Sequence, residues 1–125
     1  MQNWMIYGAN GYTGRLIAQQ AVKLGLTPIL AGRGAAATEL ANSLGLLAER
    51  FDLLDTVATR QALQKVDLVL NCAGPFSATA APMIRACLDS GCHYLDITGE
   101  IGVFEHAQQQ HAAAEKVGIV ICPGV

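Results

Sequence analysis

The chain has 125 residues, of which 52% are hydrophobic and 14% charged, so it fits one folded domain and is not a disordered chain. Eight Lys and Arg against ten Asp and Glu give a formal net charge of −2. The cations are scattered, which argues against a nucleic-acid or anionic membrane surface. No Lys or Arg precedes the first apolar run, so a secretory signal peptide is not expected.

The four cysteines show no spacing that indicates a redox pair or a zinc site. They stand at positions 72, 87, 92 and 122, and the three histidines form no HExxH motif. We therefore expect reduced, mostly buried cysteines, no metal site and a cytoplasmic location.

Short apolar runs alternate along the chain with longer segments of helical periodicity. Strands are predicted at residues 4–7, 28–31, 46–53, 67–71, 93–97 and 119–122. Helices are predicted at residues 16–24, 35–44, 56–65, 79–90 and 101–117, with Pro82 near the first turn of the fourth. This alternation predicts an α/β fold, a Rossmann-type doubly wound parallel sheet of about six strands with helices on both faces. Residues 1–125 would then form one dinucleotide-binding domain.

Three glycines spaced three residues apart lie between the first predicted strand and the first predicted helix. Such glycines allow a tight turn, a close approach of backbone to a pyrophosphate, and close packing of helix against strand. Amides at the start of the helix can then bind phosphate oxygens. Helix packing alone could also require glycines, but this position in the alternating pattern favours dinucleotide binding. The candidate cofactor-binding residues of this loop are Gly8, Asn10, Gly11, Tyr12, Thr13 and Gly14.

Arg33 follows the second predicted strand, where an NAD site usually places Asp or Glu to bind the ribose. The nearest acid, Glu39, lies inside the next predicted helix. A guanidinium can pair with a 2′-phosphate and stack on adenine. We therefore predict NADP(H) rather than NAD(H), although Arg33 could also be an ordinary surface arginine.

Three further candidates follow the third and fourth predicted strands. Asp52 could accept a hydrogen bond from the adenine amino group, or it could cap a turn. Ala73 and Gly74 lie in the loop that this topology places across the crevice from the glycines, near the nicotinamide ribose. Both are small enough to let a cofactor approach.

Asp96, Thr98 and Glu100 follow the fifth predicted strand, at the edge of the sheet where ligands bind. Thr98 and Glu100 could equally serve to start the next helix. Asp96 and Glu100 are weak candidates for a proton donor, and the catalytic residues stay unknown.

Four stretches together resemble the N-terminal NADP-binding domain of saccharopine dehydrogenase-like oxidoreductases, a group that includes the trans-acting enoyl reductases. They are YGANGYTGR at 7–15, LAGR at 30–33, NCAGPF at 71–76 and HYLDITGE at 93–100. The resemblance implies pyrophosphate contacts from the glycine loop, a 2′-phosphate contact from Arg33, and a nicotinamide beside the loop at Ala73 and Gly74. The loop residues implied are Gly8, Gly11, Thr13 and Gly14.

The resemblance also implies hydride transfer to or from a small-molecule substrate. Family members continue into a second α/β domain that supplies substrate and dimer contacts, so we expect this chain to be a fragment that lacks it. A non-catalytic NADP(H) sensor or regulatory module is the alternative. An atypical short-chain dehydrogenase would need a Tyr-x-x-x-Lys pair, which this segment does not contain.

Overall fold

The computed structural model describes residues 3–125, and in this part of the chain six parallel strands form one sheet. The strands are β1 (Trp4–Tyr7), β2 (Ile29–Gly32), β3 (Ala48–Arg50), β4 (Leu68–Asn71), β5 (His93–Asp96) and β6 (Ile121–Cys122). Their order across the sheet is β3-β2-β1-β4-β5-β6, which is the order of a Rossmann fold. The predicted fold class is confirmed.

Helices connect successive strands. They are α1 (Tyr12–Lys23), α2 (Ala35–Leu44), α3 (Thr56–Leu63), α4 (Phe76–Ser90), α5 (Ile101–Gln109) and α6 (His111–Val117). Each of these helices is too short or too polar to span a bilayer, as judged over residues 3–125.

The core consists of two apolar layers because successive side chains of a strand point to opposite faces. Ile6 of β1 belongs to the layer formed with α1 and α2, whereas its neighbours Met5 and Tyr7 belong to the layer formed with α3, α4, α5 and α6. The first layer contains many small residues, including Ala18 and Ala41, which let α1 and α2 approach the sheet closely.

Several predicted elements differ from the structure. The third strand, predicted at 46–53, is confined to Ala48–Arg50 because the Asp52 carboxylate accepts from the amide of Leu54 and closes a turn. The fourth helix begins at Phe76 rather than residue 79, which places Pro82 inside the helix. The long helix predicted at 101–117 is two helices.

Gln110 separates α5 from α6, with φ −90° and ψ 3°. Its amide donates to Ala107, three residues back, at 3.1 Å, so the last turn of α5 is tightened. The last strand is also shorter than predicted and contains only Ile121–Cys122.

Candidate functional site

A crevice opens at the carboxyl edge of the sheet between β1 and β4. Chain connections leave these adjacent strands toward opposite sides of the sheet, since β1 leads to β2 and β4 leads to β5. Ligands of open α/β sheets bind at this kind of switch point. The cavity there measures about 680 Å³, and five predicted site residues line it: Asn10, Arg33, Asp52, Ala73 and Gly74.

Gly8 and Gly14 are required by the fold itself. Gly8 has a φ of +79°, and a Cβ there would lie 2.7 Å from the amide nitrogen of Ala73. A Cβ on Gly14 would overlap the carbonyl oxygen of Gly8 and lie 2.9 Å from the Cα of Ala9. These two glycines therefore allow the turn and the close contact of α1 with the end of β1.

Gly11 has no such structural reason to be glycine. Its φ of −73° and ψ of 171° are extended backbone that any residue adopts. The one neighbour within 4 Å of a Cβ there would be the Gly8 carbonyl oxygen, at an ordinary 3.4 Å. A side chain at Gly11 would fit the protein, so the absence of one leaves open space beside the start of α1.

The N-terminus of α1 is free to bind an anion. Gly11 provides no side-chain cap, and the first turn of α1 contains no acidic residue. The first amides of a helix have no partner within the helix and carry a partial positive charge. The predicted residues Tyr12 and Thr13 are both exposed and belong to this first turn.

Arg33 is exposed at the end of β2 and faces the same crevice as Asp52. Both charges act on the hydroxyl of Tyr7: burial and then the Asp52 carboxylate raise its pKa, while Arg33 opposes them. Asp52 also caps its turn by accepting from the Leu54 amide at 2.9 Å. The turn-capping alternative for Asp52 is thus observed; Asp52 also lines the crevice, and its contact with adenine stays a prediction.

A buried polar network lies beneath the loop that follows β4. Asn71, Tyr94 and Asp96 are fully buried. The Tyr94 hydroxyl donates to Asp96 Oδ2 at 2.5 Å, and Asn71 Nδ2 donates to the Tyr94 oxygen at 3.3 Å. Burial, followed by the hydrogen bond to Asp96, raises the pKa of Tyr94 far above its usual range. Tyr94 is therefore a neutral hydrogen-bonding group.

Neither Asn71 nor Tyr94 is among the site residues predicted from the sequence. A polar residue ending an otherwise apolar strand is a signal that could have indicated Asn71. The signal for Tyr94 is weaker, since a tyrosine in a strand is ordinary.

Asp96 and Glu100 are both occupied by contacts within the protein. Asp96 Oδ1 accepts from the amides of Thr98 and Gly124, at 3.0 and 2.9 Å. Glu100 Oε2 accepts from the amide of Phe76 at 3.0 Å and so caps the N-terminus of α4. The Thr98 hydroxyl accepts a hydrogen bond from the Glu100 amide at 3.0 Å, as the alternative role of Thr98 at the start of the next helix requires. These contacts favour structural roles over proton donation.

The cysteines are all free. Cys87 and Cys92 are buried, Cys72 is half-buried and Cys122 is exposed. Burial, with a smaller effect of Asp96, raises the pKa of the Cys72 thiol to about 11, so it is a poor nucleophile at neutral pH. Over residues 3–125, no group of three His, Cys, Asp or Glu could hold a metal ion.

Residues 4–122 match the family model described as the saccharopine dehydrogenase NADP binding domain. The chain belongs to this family. It is 35% identical over 137 residues to a saccharopine dehydrogenase-like oxidoreductase of Arabidopsis thaliana, covering 94% of this chain and 30% of that protein. It is 29% identical over 131 residues to the trans-acting enoyl reductase of Mycobacterium leprae, covering 96% of this chain and 31% of that protein.

The fold is also similar to that of apo saccharopine dehydrogenase (L-Glu forming) from Saccharomyces cerevisiae. The TM-score is 0.84 at 17% identity, covering all of this chain and 27% of that one. The family match confirms the predicted resemblance and NADP(H) as the cofactor of this domain. The chain spans about 30% of the length of the curated relatives named here.

Proposed function

We propose that this chain is the NADP(H)-binding half of an oxidoreductase that transfers hydride to or from a small molecule. The observation that supports it best is Gly11, a position occupied by glycine although neither backbone conformation nor packing requires it. It lies beside an uncapped helix start, where a pyrophosphate can approach the backbone amides.

Each part of the coenzyme would bind to a different group in or beside the crevice. The pyrophosphate binds at the first amides of α1, and Arg33 pairs with the 2′-phosphate. Asp52, Ala73 and Gly74 line the crevice, which supports an adenine contact from Asp52 and a nicotinamide half beside the loop at Ala73 and Gly74. The coenzyme supplies the hydride chemistry, and the residues of this chain bind and orient it.

A substrate domain beyond this segment, a homodimer formed through it and a cytoplasmic location complete the proposal. The lengths of the relatives support a further domain. The Arabidopsis relative is named as a probable mitochondrial protein. A non-catalytic NADP(H) sensor stays a second candidate, because both carboxylates considered as proton donors are engaged in protein hydrogen bonds.

Calorimetric titration of this chain with NADPH and with NADH tests the cofactor assignment. Arg33→Ala should weaken NADPH binding by about tenfold or more, because a charge-assisted contact to the 2′-phosphate is lost, and should leave NADH binding nearly unchanged. Arg60→Ala removes an exposed arginine of α3 outside the crevice and is the matched control. Equal affinity of the unaltered chain for the two coenzymes would refute the role of Arg33.

A further inference from the structure

The backbone of Ala73 is held on both sides by side chains that do not themselves come from its loop. Its amide donates to Asn71 Oδ1 at 3.0 Å, and its carbonyl accepts from the Thr79 hydroxyl at 2.7 Å. We propose that Asn71 and Thr79 are positioning residues that shape the nicotinamide half of the crevice by holding Ala73. This inference rests on the proposed NADP(H)-binding function and deepens it.

The hydrogen bonds of this network can run in one direction only. The Asp96 carboxylate accepts, so the Tyr94 hydroxyl must donate to it and accept from the Asn71 amide nitrogen. That amide nitrogen also donates to Thr79 Oγ1 at 3.1 Å, which leaves the Thr79 proton for the Ala73 carbonyl. The Asn71 oxygen is thereby directed at the Ala73 amide.

Every donor and acceptor of the network is therefore used. In the described part of the chain, no buried side-chain nitrogen or oxygen lacks a partner. A buried polar network that is fully satisfied favours one arrangement of the groups it joins. Asp96 also accepts from the amides of Thr98 and Gly124, so its carboxylate joins the segments after β5 and β6, and Tyr94 connects it to Asn71 at the end of β4.

The position of Ala73 sets the width of the crevice at this point. Its amide nitrogen would lie only 2.7 Å from a Cβ on Gly8, so the loop after β4 already touches the turn after β1. Thr79, like Ala73, lines the cavity. A shift of Ala73 would change the space for the nicotinamide half and leave the adenine half, beside Arg33, in place.

Binding of two ligands to three forms of the chain tests the inference. NADPH occupies both halves of the crevice, whereas adenosine 2′,5′-bisphosphate occupies only the adenine half. Thr79→Val removes the hydroxyl that donates to Ala73, and Thr79→Ser keeps it. We expect Thr79→Val to weaken NADPH binding about tenfold and bisphosphate binding less than about twofold. Thr79→Ser should restore NADPH affinity.

Each of the other outcomes would contradict either this inference or the proposed NADP(H)-binding function on which it rests. Equal weakening of both ligands, or no weakening of either, would show that Thr79 does not shape the nicotinamide half. If the unaltered chain binds neither ligand, the NADP(H) function itself is wrong. Circular dichroism verifies folding, and should Thr79→Val not fold, Thr79→Ala removes the same hydroxyl without a branched side chain and gives the same comparison.

Discussion

Alanine substitutions at Gly11 and Gly14 should affect different properties of the protein, although only three residues separate them. At Gly14 the new Cβ would overlap the Gly8 carbonyl oxygen and lie 2.9 Å from the Cα of Ala9. Both neighbours are backbone atoms that cannot rotate away. Overpacking of this kind destabilises a protein by about 1–3 kcal/mol. We expect Gly14→Ala to lower the melting temperature by roughly 3 °C or more.

At Gly11 the same added methyl group meets no obstacle in the protein. Its nearest neighbour would be 3.4 Å away, and the backbone there is already extended. Alanine restricts the unfolded chain, which stabilises the protein by up to about 1 kcal/mol, but Gly11 is the N-cap of α1, where glycine is preferred over alanine. The two effects oppose each other, so the free energy of unfolding should change by less than about 1 kcal/mol. NADPH affinity should nevertheless fall by about tenfold or more, because the Cβ lies where the diphosphate approaches the amides.

Thermal unfolding followed by circular dichroism, together with calorimetric titration of NADPH, measures both quantities on the same samples. Gly11→Val enlarges the obstruction and should abolish measurable binding. Unchanged coenzyme affinity in Gly11→Val would show that the glycine loop does not contact the diphosphate. An unchanged melting temperature in Gly14→Ala would show that the close approach of α1 to the Gly8 carbonyl is unimportant for stability.

Three further predictions concern the stability of the fold. Asp55 caps α3 through its carboxylate, so Asp55→Ala should lower the free energy of unfolding by about 1 kcal/mol in urea titrations, while Asp55→Asn retains most of it. Tyr94→Phe leaves Asp96 Oδ2 and one Asn71 amide proton without a partner in the core and should lower the same quantity by about 2–4 kcal/mol, a loss that exceeds the effect of exposed substitutions. Because the pKa of the Cys72 thiol is raised to about 11, the thiol keeps its proton to higher pH in the folded protein than in the unfolded chain. The free energy of unfolding should therefore fall as pH rises from 9 toward 11, and Cys72→Ala should make this fall smaller.

The parts of the fold that local patterns encode could be predicted from the sequence. Apolar runs that alternate with segments of helical periodicity were enough to predict the six parallel strands, because strands of a parallel sheet are buried on both faces and are therefore apolar throughout. The glycine loop and Arg33 were found because both lie at the strand ends of one strand–helix–strand unit, β1 to β2, which fixes their spacing along the chain. Their roles toward the coenzyme stay predictions.

Features that depend on distant contacts could not be predicted. The start of α4 is capped by Glu100, which lies 24 residues further along the chain, so residues near 76 gave no sign of it. The link between Asn71 and Tyr94 spans 23 residues and two strands. The division between α5 and α6 at Gln110 also lacks a local signal such as glycine or proline.

The one-way polarity of the hydrogen bonds from Asn71 through Tyr94 to Asp96 has an evolutionary consequence. Replacing any single member leaves its neighbours with an unmatched donor or acceptor. These three positions should therefore change together during divergence, with Asp96 the slowest of the three to change because it also binds the Thr98 and Gly124 amides.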